Sequence, residues 1–458
     1  MEQKSGFGSK FGHIMTLAGF CIGISNMWKF PYMVGANGGG AFLIIYLICV
    51  VLVGLPLFIL EQQLGRAAQA PCATGIVKMG GGKGWAFGAG WLGVITVLMI
   101  GCYFWTIMGW NVGYIFKTAS GSLYGLSNEA IVDAFGEFSG SWGCVLCSAI
   151  CAALAWFMLN TGFKKGVEKL CSVALPALMV MLVGLAIYSN TLPGSGAGLK
   201  WYLVPDFANC NIGMAFEAAV VQVFFSVGVG MACAFVYGSY MSPTDNLCQD
   251  SVLAVVCDTF VATMSGMVIT PALFAFGIEP AAGPSLIFIS LPQMFTAMGN
   301  ATGRIFGVIF LICVFLACLT SIVGVLEAGV ACFTAKWGWS RFKANNIVTI
   351  GTFAISILVT RNMGSGPIGG VKFLFGAGLF DTLDTLASGF GLTFTALFML
   401  LFVLIKYGYN NLMEGANMGA TGKVLRLRPW MKWYYTIPLP IILVAVIYCI
   451  LHFTYALI

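Results

Sequence analysis

The chain of 458 residues is 59% hydrophobic and only 8% charged, with a mean hydropathy of +0.94. Soluble domains carry about a quarter charged residues, so this composition excludes a soluble protein and predicts an all-α polytopic membrane protein. The net charge of +6 is interpreted as the excess of basic residues that orients a membrane protein. No nucleic-acid partner is expected.

Apolar stretches long enough to cross about 30 Å of hydrocarbon as helices recur along the whole chain. They leave no room for a soluble domain, and no cleavable signal peptide is expected at the start. The sequence predicts eleven transmembrane helices, at residues 11–36, 39–65, 86–117, 142–160, 164–189, 212–240, 250–277, 303–337, 343–361, 376–406 and 434–457.

The positions of the basic residues predict the orientation. With a cytoplasmic N-terminus, most of the 22 lysines and arginines fall in segments facing the cytoplasm, as the positive-inside rule requires. Glu129, Asp133 and Glu137 then face outside, and an odd number of helices places the C-terminus outside. The expected location is the cytoplasmic membrane of the cell.

Cysteine and histidine give no sign of a metal or redox centre. The 16 cysteines are scattered through apolar segments, where cysteine commonly serves as a small buried hydrophobic residue. His13 and His452 are the only histidines, which argues against a His-centred metal site and a Ser-His-Asp triad. No nucleophile-base pair is evident, so we do not expect an enzyme.

The first and sixth predicted helices are interrupted. Backbone in lipid must satisfy its own hydrogen bonds, so irregular chain at membrane depth survives only inside protein or beside a cavity. Matching breaks in two halves of a chain indicate inverted repeats with a binding site between them, whereas glycines alone could simply permit close helix packing. The interrupting residues are Gly23, Ser25 and Asn26 in the first helix and Ser226, Gly228 and Gly230 in the sixth.

Polar residues near the middle of apolar helices favour the binding-site interpretation. An ionisable residue such as Asp258 is costly there and indicates function, although a structural hydrogen bond to a broken helix is the alternative. Hydroxyl, amide and carboxylate oxygens can replace the water shell of a hard monovalent cation. Sodium is the expected ion, held by a set that includes Asn26, Ser226, Asp258, Thr320 and Ser321.

Several motifs resemble those of the neurotransmitter:sodium symporters and occur in the same order. They are "NMWKFPY…NGGGAF" at 26–42, "LGR" at 64–66, "YLVPDF" at 202–207, "QVFFS" at 222–226 and "ACLTS" at 317–321. The resemblance covers residues 5 to 457 and implies a single transmembrane transporter domain over 1–458 that works by alternating access. It implies a five-plus-five inverted repeat with broken helices 1 and 6: a first repeat at 11–189, a second at 212–406 and an extra helix at 434–457.

The resemblance also implies two sodium sites. The first falls on the Cys21 carbonyl, Asn26, Ser226 and Asp258. Because Asp258 supplies a fixed negative charge where many members have asparagine, no chloride is expected; Tyr46 and Gln222 would hydrogen-bond this carboxylate. The second falls on the carbonyls of Gly19, Ile22 and Ala317 and the hydroxyls of Thr320 and Ser321.

Gates on both sides of the site are implied in the same way. Outside, Lys29 replaces the usual arginine, Asp384 matches its acidic partner, and Phe225 is the aromatic lid over the substrate. A lysine keeps the charge but lacks the bidentate fork of arginine, so this pair should be looser. Inside, Lys4 and Phe7 match the family's N-terminal pair, but Ala335 stands where the acidic partner belongs.

The implied substrate site lacks a dedicated group for either charge of an amino acid. Phe104 occupies the position of a tyrosine that holds substrate carboxylates, and adjacent Tyr103 points about 100° away on a helix. Gly23 stands where carriers of biogenic amines have aspartate. The expected substrate-binding residues are Cys21, Gly23, Ser25, Ile100, Tyr103, Phe104, Phe225, Gly228, Met231, Ser321 and Val325.

Such a site favours a small nitrogenous solute, because an unpaired ionic group is expensive to bury. Two classes stay open: an amino acid whose carboxylate rests on sodium and backbone amides, or an amine or azole-like heterocycle without a carboxylate. The expected function is chloride-independent sodium-coupled import of this solute across the lipid bilayer, without an obligate protein partner. The alternative is a transport-inactive receptor or scaffold that retains the fold.

Overall fold

A computed structural model describes residues 8–278, 286–420 and 425–457. Within these residues the chain is built from helices, and the one isolated β-bridge joins Gly39 to Pro205. The membrane-crossing segments are numbered α1 to α11: α1 (Lys10–Cys21, Ser25–Lys29 and Phe30–Ala36), α2 (Gly40–Ala68), α3 (Lys83–Ser120), α4 (Trp142–Asn160), α5 (Lys165–Asn190), α6 (Ile212–Val227 and Cys233–Gly238), α7 (Leu247–Phe276), α8 (Asn300–Trp337), α9 (Arg341–Arg361), α10 (Leu379–Tyr407) and α11 (Pro438–Leu457).

The helix count agrees with the sequence prediction once the breaks are considered. In the described part of the chain, nine helices are long and apolar enough to cross a membrane without interruption. The two remaining predicted segments, α1 and α6, consist of shorter helical pieces. All-α architecture with broken first and sixth helices is therefore confirmed.

Local sequence explains where the long helices begin and end. Ser141 and Ser340 accept hydrogen bonds from the peptide N–H groups three residues later and so cap the starts of α4 and α9. Gly121 and Gly277 end α3 and α7 with φ of 79° and 62°, a conformation that glycine adopts without strain. The sequence prediction did not include the shorter helices Cys72–Lys78, Asn128–Ser139, Ser195–Leu203, Leu286–Ala297 and Tyr409–Ala416.

The broken helices lie against the longer ones. The first half of α1 contacts α5, α7 and α8, while the second half of α6 contacts α2 and α8. The irregular backbone of both breaks is therefore buried in protein, which is the condition under which such backbone is stable at membrane depth. The division into repeats at 11–189 and 212–406 stays a prediction.

Candidate functional site

The break in α1 coincides with the polar interruption of the sequence. The helix ends at Cys21, and Ile22 is extended, with φ −69° and ψ 101°. The chain then resumes as a π-helical turn at Ser25–Lys29. The backbone at the break is held by Asn26: the Gly23 N–H donates to Asn26 Oδ1 at 3.0 Å, and the Gly23 carbonyl oxygen accepts from the Asn26 N–H at 3.2 Å.

The break in α6 requires glycine. After Val227 the chain passes through Gly228 at φ 74° and Gly230 at φ 80° before the helix resumes at Cys233. Residues with a Cβ rarely adopt such positive φ values. A Cβ on Gly230 would also collide with the carbonyl oxygen of Leu392, so α10 lies directly against this break.

Three side chains of the first predicted sodium site meet between α1, α6 and α7. The Asn26 Nδ2 group donates to Asp258 Oδ1 at 2.7 Å and to Ser226 Oγ at 3.1 Å, and Ser226 Oγ donates to Asp258 Oδ2 at 2.8 Å. All three residues are fully buried. Cys21, the fourth predicted member, touches α6 through its Sγ, 3.3 Å from the Val227 carbonyl oxygen.

The Asp258 carboxylate has neutral hydrogen-bond partners. Among the residues that the structure describes, the ion pairs join Lys10 and His13 to Asp250 and Arg341 to Glu327, and none involves Asp258. A buried carboxylate is costly unless a cation compensates its charge. The cluster is therefore suited to a small cation.

The residues of the second predicted sodium site surround the end of the first half of α1. Ser321 Oγ on α8 lies 3.4 Å from the Phe20 carbonyl oxygen. Thr320 Oγ1 donates within its own helix, to the carbonyl oxygens of Leu316 at 3.0 Å and Ala317 at 3.1 Å. Gly19 and Ile22 lie at this end of α1, and Ser321 is the predicted ligand on α8 whose hydroxyl reaches the backbone of α1.

A cavity lies between the two breaks, against α3 and α8. All the predicted substrate-binding residues except Tyr103 and Gly228 line it, together with Phe20 and Ile24, which the sequence analysis did not single out. Its walls are Phe20, Cys21, Gly23, Ile24, Ser25, Ile100, Phe104, Phe225, Met231, Ser321 and Val325.

The structure places Tyr103 and Gly228 outside this lining. The Tyr103 hydroxyl donates to Asp384 Oδ1 on α10 at 2.8 Å. Gly228 lies against the ring of Phe20, since a Cβ there would come within 2.5 Å of Cε2. Phe20 therefore forms the wall where Gly228 was expected.

The cavity is nearly closed. The space open to the centre of a water molecule is about 10 Å³, roughly what a single water needs. The side-chain hydroxyls of Ser25 and Ser321 are the polar side-chain groups on its wall. Binding of an organic solute therefore requires the walls to move apart.

The outer gate pair predicted from Lys29 and Asp384 is not formed in this conformation. Lys29 Nζ lies 4.6 Å from the centre of the Phe225 ring, a cation-π contact. Asp384 accepts hydrogen bonds from Tyr103 at 2.8 Å and Ser388 at 2.7 Å. The lysine thus lies over the ring of Phe225, the predicted lid.

Tyr46 and Gln222 do not hydrogen-bond Asp258 as expected. Asn26 and Ser226 already occupy the two carboxylate oxygens. The buried Tyr46 hydroxyl faces the hydroxyls of Ser226 and Thr259. Within the described residues, both polar atoms of the Gln222 amide are buried without a hydrogen-bond partner, on the same helix as Ser226.

Glu61 is a buried carboxylate that the sequence analysis overlooked. It lies on α2, is 1% exposed, and accepts a hydrogen bond from the Gly230 N–H at 3.0 Å. The peptide N–H groups of Ala232 and Phe235 also face it. Glu61 thus stabilises the released backbone of the α6 break. Its signal was a charged residue beside "QQLGR" within an apolar segment.

Replacing Glu61 with alanine should destabilise the protein by about 1.5–3 kcal/mol, because the buried N–H of Gly230 loses a charged acceptor. The measurement is the Tm of the purified protein. Glu61→Gln keeps an acceptor oxygen, so its Tm should fall less than that of Glu61→Ala. Glu414→Ala removes an exposed carboxylate and serves as the control. Equal Tm values for Glu61→Ala and Glu414→Ala would contradict the assigned role.

Two carboxylates that were not predicted from the sequence bind the start of α1. Lys4 and Phe7 lie outside the described residues. Glu168 on α5 accepts from Gly8 N–H at 2.8 Å and from Ser9 N–H at 3.2 Å. Asp250 on α7 contacts His13 at 3.1 Å and Lys10 at 4.0 Å. Both carboxylates connect the first half of α1 to neighbouring helices.

We expect Glu168→Ala to loosen the first half of α1 from α5. The native thiol of Cys171 reports this, since it is buried beneath α1 and a Cβ on Gly19 would lie 2.6 Å from its sulfur. Labelling of Cys171 by a small thiol reagent, followed by peptide mass spectrometry, should accelerate severalfold. The exposed Glu414→Ala control should leave the rate unchanged, and an unchanged rate in Glu168→Ala would contradict the expectation.

Known protein families and sequences resemble the chain over nearly its whole length. The model of the sodium:neurotransmitter symporter family matches residues 4–130 and 137–456. An uncharacterized sodium-dependent transporter of Bacillus subtilis, YhdH, is 32% identical over 97% of each chain. The sodium- and chloride-dependent taurine transporter of the dog is 26% identical over 96% of this chain and 77% of that protein.

The fold agrees with a solved structure of the same type. MhsT in complex with L-phenylalanine superposes with a TM-score of 0.86 at 30% identity, covering 98% of this chain and 99% of MhsT. Together with the family match, this agreement extends from the first broken helix to the last membrane span. The chain belongs to the sodium:neurotransmitter symporter family.

Proposed function

We propose that this sodium symporter imports a small nitrogenous organic solute by alternating access, with two sodium ions bound beside the cavity. The observation that carries the proposal is the buried Asp258 cluster, which adjoins the cavity through Cys21 and Ser25 and contains no basic side chain. A cation bound there compensates the carboxylate, so closure around the empty site is disfavoured. Solute and sodium movement are thereby coupled.

The proposed ligands of the first ion are the Cys21 carbonyl, Asn26, Ser226 and Asp258. In this structure the Asn26 Nδ2 group donates to the carboxylate, and its Oδ1 accepts from the Gly23 N–H at 3.0 Å. Binding of a cation through Oδ1 therefore requires the side chain to rotate and to give up these contacts. The second ion takes the carbonyls of Gly19, Ile22 and Ala317 and the hydroxyls of Thr320 and Ser321. Oxygen donors with a single carboxylate suit a hard monovalent cation better than a divalent one.

The solute is proposed to be an amino acid or a related amine or azole without a carboxylate. Phe104 brings no hydroxyl to the cavity wall, which disfavours a dedicated carboxylate contact. The likeness to MhsT, whose structure contains L-phenylalanine, supports the amino-acid class. In that case the carboxylate would rest on the first sodium ion and on N–H groups at the α1 break.

Chloride independence is part of the proposal. Asp258 supplies a fixed negative charge, and an anion beside Tyr46 and Gln222 would be repelled by it. The unpartnered amide of Gln222 is the reason for testing this directly. Replacing external chloride with gluconate should leave sodium-driven uptake unchanged.

The test uses the full chain in proteoliposomes. A thermal-shift screen of amino acids, their decarboxylated amines and small heterocycles, with and without sodium, identifies the bound solute. An inward sodium gradient should then drive its accumulation above the level reached without a gradient. The proposal would be overturned if the sodium gradient had no effect on the uptake of any solute that binds. Binding without any uptake would indicate a receptor.

The proposed orientation places the N-terminus in the cytoplasm and the C-terminus outside a bacterial cytoplasmic membrane. The polar contacts of Lys10 with Asp250 and of Arg66 with the backbone of Asp245 lie at one end of the molecule, in segments predicted to face inside. The positive-inside rule supports this assignment. Membrane-impermeant labelling of cysteines introduced at exposed positions in the loops of intact cells checks it.

A further inference from the structure

A basic and aromatic segment, residues 425–433, leads into α11. Its charged residues are Arg426, Arg428 and Lys432, all exposed, and it contains no acidic residue. Among the described residues, none of these three cations forms an ion pair with a carboxylate. The segment therefore presents uncompensated positive charge where the chain re-enters the membrane.

The backbone places the two arginines on one side. Residues 425–428 have no helical or turn assignment, and Arg428 is extended, with φ −116° and ψ 155°. In extended chain, alternate side chains share a face and lie about 6–7 Å apart. Leu427, between the arginines, is 4% exposed and points inward. Arg426 and Arg428 consequently point outward together.

Hydrogen bonds hold this arrangement in place. Asn417 binds the Leu427 backbone twice, accepting from its N–H at 2.8 Å and donating to its carbonyl at 2.9 Å. The Tyr409 hydroxyl donates to the Arg428 carbonyl at 2.7 Å. One guanidinium donor of Arg426 is used on the Ala420 carbonyl. These bonds fix the backbone from which both exposed arginines extend, and their remaining guanidinium donors can reach an external acceptor.

Two exposed indoles accompany the cations. Trp430 is 69% exposed and Trp433 is 75% exposed. Both lie just before α11, whose outer face carries exposed apolar residues such as Val444 and Ile447. Tryptophan is enriched where the hydrocarbon meets the headgroups. The cations are thus placed at headgroup depth, next to an apolar surface that can receive acyl chains.

We propose that residues 425–433 form a binding site for an anionic phospholipid. The phosphodiester accepts hydrogen bonds from Arg426 and Arg428, Lys432 adds charge, and the acyl chains lie along Trp433 and the outer face of α11. Guanidinium groups recognise phosphate in a bidentate manner, and basic clusters beside a membrane helix attract anionic lipids. This site does not depend on the identity of the transported solute.

The test measures lipid retained by the full-length transporter after extraction from vesicles of phosphatidylcholine and phosphatidylglycerol in equal amounts, by native mass spectrometry. Wild type should retain phosphatidylglycerol in preference to phosphatidylcholine. The triple variant R426Q/R428Q/K432Q should retain at least threefold less phosphatidylglycerol. The variant R426K/R428K keeps the positive charges and should retain most of the phosphatidylglycerol that wild type retains.

A matched control separates this site from general positive charge. Lys78, Lys83 and Lys336 are exposed basic residues in other segments predicted to face inside, and K78Q/K83Q/K336Q removes the same charge. This control variant should retain as much phosphatidylglycerol as wild type. Equal loss in the control, or unchanged retention in the triple variant, would overturn the proposal. If the triple variant does not yield monodisperse protein, R426Q/R428Q is measured instead, with the same two outcomes.

Discussion

Replacing Asp258 with alanine should abolish the stabilisation of the transporter by sodium at the first site and reduce sodium-driven uptake to background. The carboxylate accepts from Asn26 and Ser226 and is fully buried, so no water or other side chain replaces its charge. We expect the apparent sodium affinity to fall at least about tenfold, which corresponds to about 1.4 kcal/mol. Thermal shifts against sodium concentration, with potassium as the reference ion, measure the change.

Asparagine at the same position separates charge from hydrogen bonding. Asp258→Asn retains one acceptor oxygen but removes the fixed charge, so sodium binding should weaken and should recover in part when chloride is supplied beside Tyr46 and Gln222. Asp206→Asn removes an exposed carboxylate and serves as the control. Wild-type sodium affinity in Asp258→Ala would refute the proposed site, and a chloride requirement in wild type would refute chloride independence.

The sequence predicted the positions of the two breaks because their cause is local. Glycine tolerates the positive φ found at Gly228 and Gly230, and polar side chains such as Asn26 and Ser226 are too costly in hydrocarbon without a purpose. The grouping of Asn26, Ser226 and Asp258 as cation ligands followed from their polarity near the middle of apolar helices, and the resemblance to a family added the Cys21 carbonyl and the division into two sites. That the three side chains hydrogen-bond one another is seen only in the structure.

Contacts that depend on side-chain direction were harder to predict. Lys29 and Asp384 carry opposite charges, but each has a nearer neighbour, Phe225 for the lysine and Tyr103 for the aspartate. The sequence shows the two charges, but it does not show which side chains lie nearest to each of them in the fold. Glu61 was missed for a different reason: it satisfies backbone N–H groups of another helix, and the need for such an acceptor appears only once the α6 break is placed beside α2.

Several exposed helices of the loops were also outside the reach of the sequence analysis. The segment Asn128–Ser139 is amphipathic and polar enough to be taken as a loop, yet Ser127 caps its start by accepting from Ala130 N–H at 3.2 Å. Its buried Phe135 packs against Trp110 of α3 at a ring distance of 5.3 Å. Tertiary packing therefore stabilises helices whose local apolar pattern is too short to predict them.

Introducing a hydroxyl at the cavity wall by Phe104→Tyr should shift the preference of the transporter toward solutes that carry a carboxylate. Phe104 lines the cavity, and a tyrosine there would direct its hydroxyl at the space beside the α1 break. A hydrogen bond to a charged acceptor contributes about 1.5–3 kcal/mol. The affinity of an amino acid relative to its decarboxylated amine should therefore rise about tenfold or more.

The control for this substitution is Tyr103→Phe, which removes a hydroxyl that binds Asp384 outside the cavity. It should alter overall stability or gating but not the ratio of the two affinities. A ratio that stays constant in Phe104→Tyr would mean that the solute does not place its carboxylate near α3. The buried hydroxyl would then lack a partner, and the affinity for every ligand should fall, because an unsatisfied polar group costs about 1–3 kcal/mol. The same measurement thus decides whether Phe104 selects against carboxylates or merely tolerates them elsewhere in the cavity.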